Sequence, residues 1–252
     1  MTMQYGKFAA YYDAMMHDVD REAWADYLDG FLKEAQAHDV MDCACGTGAM
    51  TIALHRRGYH VIGNDVSPEM LMQARANAFK EGAKAIIFIC EDMRKLVIHK
   101  PIDAILCVCD GVNYLTGPED AASFFRHAYN CLKPNGLLLF DISSAYKLST
   151  VLGNNTFTEE TDDYAYIWKN AFDEKRALCE MDLTCFVKNG DRYDRFSELN
   201  IQRSYTVEVL TALLREAGFT DIRAYRAFTR HRVKADSERI QFAARKDSSH
   251  ES

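Results

Sequence analysis

The segment from His38 to Gly48, which reads His-Asp-Val-Met-Asp-Cys-Ala-Cys-Gly-Thr-Gly, constrains the fold more than any other stretch of the chain. Apolar residues at positions 40, 41 and 43 lead into small residues and two glycines, and a helical pattern follows over residues 49–57. A buried parallel strand that turns tightly into a helix has this pattern. Glycine permits a positive φ and lets a ligand approach the backbone, so we expect a binding turn at Gly46 to Gly48.

Strands and helices alternate through the first 142 residues. We predict strands at 39–43, 59–64, 85–90, 102–108 and 137–141, and Ser67 and Thr206 as helix N-caps. This alternation predicts an α/β fold with a doubly wound, mostly parallel sheet and right-handed crossovers. Ligands of such sheets bind at the carboxyl ends of the strands. Candidate residues at those ends are Gly46, Asp65, Asp92, Cys109, Asp110 and Asp141.

Two acidic residues accompany the glycine turn. Asp42 lies inside the first strand, and Asp65 ends the next apolar run, 17 residues after Gly48. That interval is close to the spacing at which a carboxylate accepts ribose hydroxyls in such folds. The motifs Asp42-x-Ala-Cys-Gly-Thr-Gly and Gly63-Asn-Asp-Val-Ser-Pro-Glu-Met-Leu71 resemble motif I and its acidic partner in class I S-adenosylmethionine-dependent methyltransferases. The resemblance covers residues 38–142 well and the C-terminal third less well.

The resemblance implies S-adenosylmethionine as cofactor, S-adenosylhomocysteine as product, and a Rossmann-like sheet of seven strands. It implies that Asp65 accepts the ribose hydroxyls and that Asp92 accepts the adenine amino group. Alternatively, Asp65 caps the following helix, Asp92 lies in a solvated loop, and Met70 is ordinary core. The expected cofactor-binding residues are Tyr12, Asp42, Ala44, Gly46, Gly48, Asp65, Val66, Met70, Asp92, Met93 and Cys109.

The periodicity changes between residues 146 and 204. Alternating segments and the hairpin signal Asn189–Gly190 predict antiparallel strands, which we interpret as a β insertion after strand 5. It covers the substrate or forms an oligomer surface. The expected organisation is a helical lid at 1–37, a cofactor-binding domain at 38–145 and 205–246, the insertion at 146–204, and a disordered tail at 247–252. The aromatic residues at 5–13 either close over the cofactor, with Tyr11 or Tyr12 in contact, or pack on the sheet edge.

The implied reaction is an in-line displacement at the methyl carbon, in which alignment and exclusion of water supply most of the catalysis. An amine acceptor must lose a proton before attack, and a hydroxyl usually needs a base. The catalytic candidates are weak. They are Asp110, Asp141, Tyr146, Glu198, Gln202, Arg203 and Tyr205, of which the last two alternatively pack the insertion onto the sheet.

We expect no metal site. Catechol-type O-methyltransferases place acidic metal ligands after strands 4 and 5 and an Asn after the second acid, but Ile142 follows Asp141 here. The Cys-x-Cys pairs at 43/45 and 107/109 lack the spacing of zinc ligands. We interpret the eight cysteines as reduced thiols of a cytoplasmic protein.

The amino-acid composition favours some classes of methyl acceptor over others. The chain has 30 basic and 37 acidic side chains, a net charge of -7, and no basic run, which disfavours nucleic acid as a partner. No apolar run approaches the length of a membrane span. We therefore expect a small polar metabolite methylated on N or O, by a monomer or homodimer.

Three alternatives remain at this point. An RNA methyltransferase and a non-catalytic module that binds S-adenosylmethionine both keep the cofactor pocket. An NAD-dependent dehydrogenase would need the spacing Gly-x-Gly-x-x-Gly, but the third glycine position is Thr51.

Overall fold

The computed structural model describes residues 11–13 and 19–248 of the 252-residue chain. Residues 11–13 are helical. The remainder of the N-terminal helix expected before residue 18, and residues 249–252 of the expected tail, lie outside the described residues.

In the part of the chain that the structure describes, eleven strands form two sheets. Their bounds are β1 Asp39–Cys43, β2 His60–Asp65, β3 Ile87–Cys90, β4 Ile102–Cys107, β5 Leu132–Ser143, β6 Thr156–Glu160, β7 Tyr164–Asp173, β8 Leu178–Asn189, β9 Arg192–Arg203, β10 Phe219–Arg226 and β11 Arg239–Lys246. The larger sheet has the order β10-β11-β5-β4-β1-β2-β3, and the smaller has the order β6-β7-β8-β9. In the larger sheet β1 to β5 are parallel, and β11 runs antiparallel to β5 and β10. The predicted fold class is confirmed.

Helices cover both faces of the larger sheet. Their bounds are α1 Arg21–Glu34, α2 Ala49–Arg56, α3 Pro68–Lys80, α4 Pro118–Cys131 and α5 Val207–Glu216. On one face, α1 and α2 bury Leu28 and Leu54 against Leu106 of β4. On the other face, α4 and α5 pack against β5 and β11, where Phe140 and Phe242 stack with centroids 4.8 Å apart. Strands covered on both faces are apolar throughout, which explains their continuous hydrophobic runs.

The helix starts follow local sequence. Ser67 accepts a hydrogen bond from the Met70 N–H at 3.1 Å, and Thr206 accepts one from the Val209 N–H at 3.3 Å, as the predicted N-caps require. Strand β5 begins at Leu132 rather than at residue 137, because Leu132 already pairs with Ile102 of β4. A π-helical turn at Lys147–Val151 follows β5, which the periodicity did not predict.

The smaller sheet stands over the carboxyl ends of β4 and β5. Asn113, just after β4, donates to the carbonyl of Arg203 at the end of β9 and to that of Ser143 at the end of β5, at 2.9 and 3.0 Å. The sheet buries Met181 and Cys179 against Leu148 and Leu152 of the π-helical segment. The insertion is therefore fixed at the edge where parallel sheets bind ligands. Among the described residues, no helix has the length and apolar character needed to cross a bilayer.

Candidate cofactor-binding site

The glycine turn after β1 leaves open space beside its backbone. Gly46 has φ +54°, and no atom of the described residues lies within 4 Å of the position that a Cβ would occupy there. Gly48 has φ +77° and begins α2, where a Cβ would lie 3.0 Å from Cβ of Ala74. Gly48 therefore permits close packing of α2 on α3, while Gly46 leaves the turn accessible to a ligand.

Asp65, at the end of β2, holds this turn through its carboxylate. Oδ2 accepts from the Gly46 N–H at 2.8 Å, and Oδ1 accepts from the Ser67 N–H at 2.9 Å. Burial raises the pKa of Asp65, although these backbone hydrogen bonds oppose the rise. Because the side-chain cap of α3 is supplied by Ser67, the alternative in which Asp65 only caps that helix is disfavoured. Each oxygen keeps a lone pair with which to accept a hydroxyl.

Asp42 lies beneath the turn and is almost fully buried. Its Oδ2 accepts from the Thr51 hydroxyl at 2.6 Å, while Oδ1 has no hydrogen-bond partner among the described residues. Burial raises the pKa of Asp42 to about 7, and the nearby Asp65 carboxylate adds to the rise. A buried carboxyl with one unpartnered oxygen beside a ligand-binding turn fits a polar group of the ligand.

Asp92 follows β3 at the same edge of the sheet. The Glu91 N–H donates to the Asp65 carbonyl at 3.2 Å, which holds the ends of β2 and β3 together. The Asp92 carboxylate pairs with Arg94 at 2.5 Å. Hydrogen bonds from the Arg94 guanidinium hold the pKa of Asp92 below its usual range. Arg94 also pairs with Asp120 at the start of α4, at 2.8 Å. Asp92 is therefore an ionised acceptor whose position is fixed from two sides.

Other predicted contacts differ in how accessible they are. Val66 is 60% exposed, whereas Met70 is only 2% exposed, which favours the interpretation of Met70 as core. The Met93 sulfur lies 3.9 Å from Sγ of Cys107 at the end of β4. A Cβ on Gly111 would lie 3.1 Å from Cβ of Ala44, so the loops after β1 and β4 are in close contact.

A charged cluster occupies the ends of β4 and β5. Cys109 and Asp110 both adopt left-handed φ, +58° and +55°, and burial raises the pKa of the Cys109 thiol. Arg239 forms ion pairs with Asp110, at 2.8 Å, and with the buried Asp141. Gln202 of β9 donates to the other oxygen of Asp110 at 2.6 Å. A left-handed backbone at two successive non-glycine residues is strained, and such strain concentrates at functional sites.

Sequence reasoning missed Arg239, and it named Gln202 as a candidate without predicting its contact with Asp110. Each is separated from Asp110 by more than 90 positions along the chain, so no local pattern reports the contact. The available signal was the pair of acidic residues predicted at adjacent strand ends, since two neighbouring buried carboxylates require a cation.

Residues 11–13 lie against the glycine turn and the insertion. Asp13 accepts from the Thr47 hydroxyl and from Asn77 of α3, both at 2.8 Å, and it pairs with Arg21 at the same distance. The Tyr11 ring stacks on Phe196 of β9 with centroids 5.7 Å apart. Burial raises the pKa of Tyr12, and the neighbouring Cys109, Tyr114 and Asp110 side chains add to the rise. The segment therefore links the turn, the end of β4 and the smaller sheet.

Two further catalytic candidates, Arg203 and Tyr205, are engaged in packing. Arg203 donates to the carbonyl of Thr116 at 2.9 Å, and the buried Tyr205 hydroxyl donates to the carbonyls of Leu115 and Gly117. These bonds attach the end of the insertion to the loop after β4. They favour the interpretation in which Arg203 and Tyr205 pack the insertion onto the sheet.

Comparisons with known proteins agree with this geometry. Residues 40–136 match a family described as a methyltransferase domain. The chain is 35% identical over 245 residues to a Bacillus subtilis (strain 168) protein named as the methyltransferase YqeM, with 97% of this chain and 98% of that protein covered. The solved structure of an S-adenosylmethionine-dependent methyltransferase from Clostridium acetobutylicum ATCC 824 is 33% identical, with a TM-score of 0.87, and covers 96% of this chain and 99% of that chain.

The chain belongs to the class I S-adenosylmethionine-dependent methyltransferases. S-adenosylmethionine is therefore the cofactor, and the open turn at Gly46, the accepting lone pairs of Asp65 and the unpartnered oxygen of Asp42 fit such a molecule. A more distant relative, the glycine/sarcosine N-methyltransferase of Aphanothece halophytica, is 28% identical over 225 residues, with 86% of this chain and 79% of that protein covered.

Proposed function

We propose that this methyltransferase transfers the methyl group to a nitrogen or oxygen atom of a small polar metabolite. The observation that carries the proposal is the four-stranded sheet fixed over the active edge by the Gln202–Asp110 and Asn113–Arg203 hydrogen bonds. A macromolecular acceptor needs an open, charge-complementary surface, whereas this edge is covered and the chain is acidic. The similarity to a glycine/sarcosine N-methyltransferase supports a small acceptor.

The proposed cofactor contacts follow the geometry of the turn. Asp65 accepts the ribose hydroxyls with the lone pairs left over from its bonds to Gly46 and Ser67. Asp92 accepts the adenine amino group from its fixed position beside Arg94. The unpartnered oxygen of Asp42 faces the charged methionine portion, directly or through water.

The protein's part in the reaction is alignment and exclusion of water. The cofactor, when bound, supplies a methyl group on a sulfonium that is already a good leaving group. The chain holds the acceptor atom in line with that methyl group, which contributes roughly 7–11 kcal/mol when the geometry is right. We propose residues 1–37 as a lid and 146–204 as a substrate cover, since Tyr11, Tyr12 and Asp13 bridge the glycine turn and β9.

The proposal is tested by supplying methyl-labelled S-adenosylmethionine together with either a low-molecular-weight metabolite extract or total RNA. We expect label in the metabolite fraction and none in RNA. Label in RNA, with binding that weakens steeply as salt rises, would favour the RNA alternative. Binding of S-adenosylhomocysteine without transfer to either pool would favour a non-catalytic module.

A further inference from the structure

The turn after β4 lies where the larger sheet reverses its strand order. From β1 the chain adds β2 and β3 on one side and β4 and β5 on the other. A crevice opens outside the carboxyl ends of the two strands at such a reversal, and parallel sheets bind their ligands there. Cys109 and Asp110 form this turn, and a Cβ on the next residue, Gly111, would lie 3.1 Å from Cβ of Ala44 in the loop after β1. We call Cys109 and Asp110 the β4 turn; it borders the crevice proposed for the cofactor.

The β4 turn has a backbone conformation that its own residues do not favour. The φ angle is +58° at Cys109 and +55° at Asp110. A side chain other than glycine rarely adopts the left-handed region, and here two such residues adopt it in succession. A conformation of this kind persists only where the surrounding structure holds it. The contacts around Asp110 therefore need to be considered as a set.

Three strands that are distant from one another along the chain hold Asp110. Its N–H donates to Oδ2 of Asp141 on β5 at 3.2 Å. Its Oδ1 pairs with Arg239 of β11 at 2.8 Å, and its Oδ2 accepts from the Gln202 amide of β9 at 2.6 Å. The backbone and both carboxylate oxygens of one residue are thus fixed from separate directions, which is the arrangement that a strained turn requires.

The two side chains that donate to the carboxylate differ in what else they do. Arg239 also pairs with the buried Asp141, and its guanidinium lies over the Trp24 ring, 5.1 Å from the centroid. Gln202 is 3% exposed, and its side chain makes no second hydrogen bond within the described part of the chain. Removing Gln202 therefore releases one oxygen of Asp110 without leaving a buried charge unpaired.

We propose that Gln202 is a positioning residue, which together with Arg239 clamps the Asp110 carboxylate so that the β4 turn keeps its left-handed backbone against the cofactor. This inference rests on the cofactor site in the proposed function. It gives Asp110 the role of holding the turn, in place of the direct catalytic role considered from the sequence. Because Gln202 belongs to β9, the insertion shapes the cofactor site as well as covering it.

Two substitutions of Asp110 separate holding the turn from touching the ligand. Asp110→Gly and Asp110→Ala both remove the carboxylate, but only glycine adopts a left-handed φ at little cost. Calorimetry with S-adenosylhomocysteine measures the affinity of each full-length variant. We expect Asp110→Ala to weaken binding by about tenfold and Asp110→Gly by no more than about threefold. An equal loss in both variants, or no loss in either, overturns the proposal.

Gln202→Leu removes one side of the clamp and leaves the ion pair between Asp110 and Arg239 in place. We expect the affinity for S-adenosylhomocysteine to fall about fivefold in the otherwise unmodified protein, and by less than about twofold in the Asp110→Gly background, where the turn needs no clamp. Equal losses in the two backgrounds, or no loss in the first, contradict the positioning role.

Ser197→Ala, on the exposed face of the same strand, is the matched control and should leave the affinity unchanged. The readout is binding of S-adenosylhomocysteine, so it is independent of the methyl acceptor. Methyl transfer to RNA, or to neither pool, would refute the proposed function, while the affinities of the Asp110 and Gln202 variants still decide the present inference.

Discussion

Asp42 makes the stability of this methyltransferase depend on pH in a direction that the structure fixes. Its carboxyl is buried, and burial raises its pKa from 3.8 to about 7. The folded protein therefore holds a proton that the unfolded chain releases between these values. As pH rises through that window the free energy of unfolding falls, because the folded state must ionise a buried group.

Asp42→Asn should remove this penalty. The Asn oxygen can still accept from the Thr51 hydroxyl, which now bonds Oδ2 of Asp42 at 2.6 Å. Raising the pKa from 3.8 to about 7 corresponds to a destabilisation of at most roughly 4 kcal/mol above pH 7 and of less than half that at pH 5. Relative to the unmodified protein, the variant should gain about 2–3 kcal/mol between pH 5 and pH 8.

Urea denaturation of the cofactor-free protein at pH 5, 6, 7 and 8 measures this difference. A difference that stays constant with pH, or that falls as pH rises, would refute the reasoning. Asp103→Asn is a control of opposite sign. Burial opposes the ionisation of Asp103, but the Asp39 and His38 N–H groups and Lys133 hold its pKa below the usual range. Asp103 therefore stabilises the fold above the unfolded pKa and loses that contribution as pH falls.

Three further predictions concern the site. Asp65→Ala should weaken S-adenosylhomocysteine binding by roughly 1–3 kcal/mol in calorimetry, since it leaves ribose hydroxyls unpaired, and unchanged affinity would refute the assignment. Deletion of residues 1–18 removes the Asp13–Thr47 bond and should speed cofactor dissociation; a truncated protein that retains the cofactor normally would exclude a lid. Arg239→Met should lower the free energy of unfolding by about 3–5 kcal/mol in urea titrations, because Asp110 and Asp141 lose their cation, and full stability would contradict that ion pairing.

The parts of the fold that depend on local pattern were predictable. Ser67 and Thr206 cap their helices as predicted, because a cap uses only residues within one turn. Continuous apolar runs predicted β1 to β4. The alternation of these strands with helices implied that their carboxyl ends lie at the same edge of the sheet. That inference anticipated the proximity of Asp65 to Gly46, now seen as a 2.8 Å hydrogen bond.

The parts that depend on distant pairing were not predictable. The periodicity predicted the strands of the insertion. It did not predict the register of β9 or the hydrogen bond from Gln202 to Asp110. No local pattern distinguishes Arg239 from the other charged residues near the end of the chain, and the antiparallel pairing of β11 with β5 brings it to Asp141. Contacts of this kind are set by tertiary packing, on which a single sequence carries no local signal.

The central claim is that the turn at Gly46 and the carboxylate of Asp65 bind the ribose end of S-adenosylmethionine. A crystal structure of the complex with S-adenosylhomocysteine tests it most directly. The account predicts both ribose hydroxyls within hydrogen-bond distance of the Asp65 carboxylate, above the open face of Gly46. A nucleoside bound at another edge of the sheet, with Asp65 bonded only to Gly46 and Ser67, would contradict it.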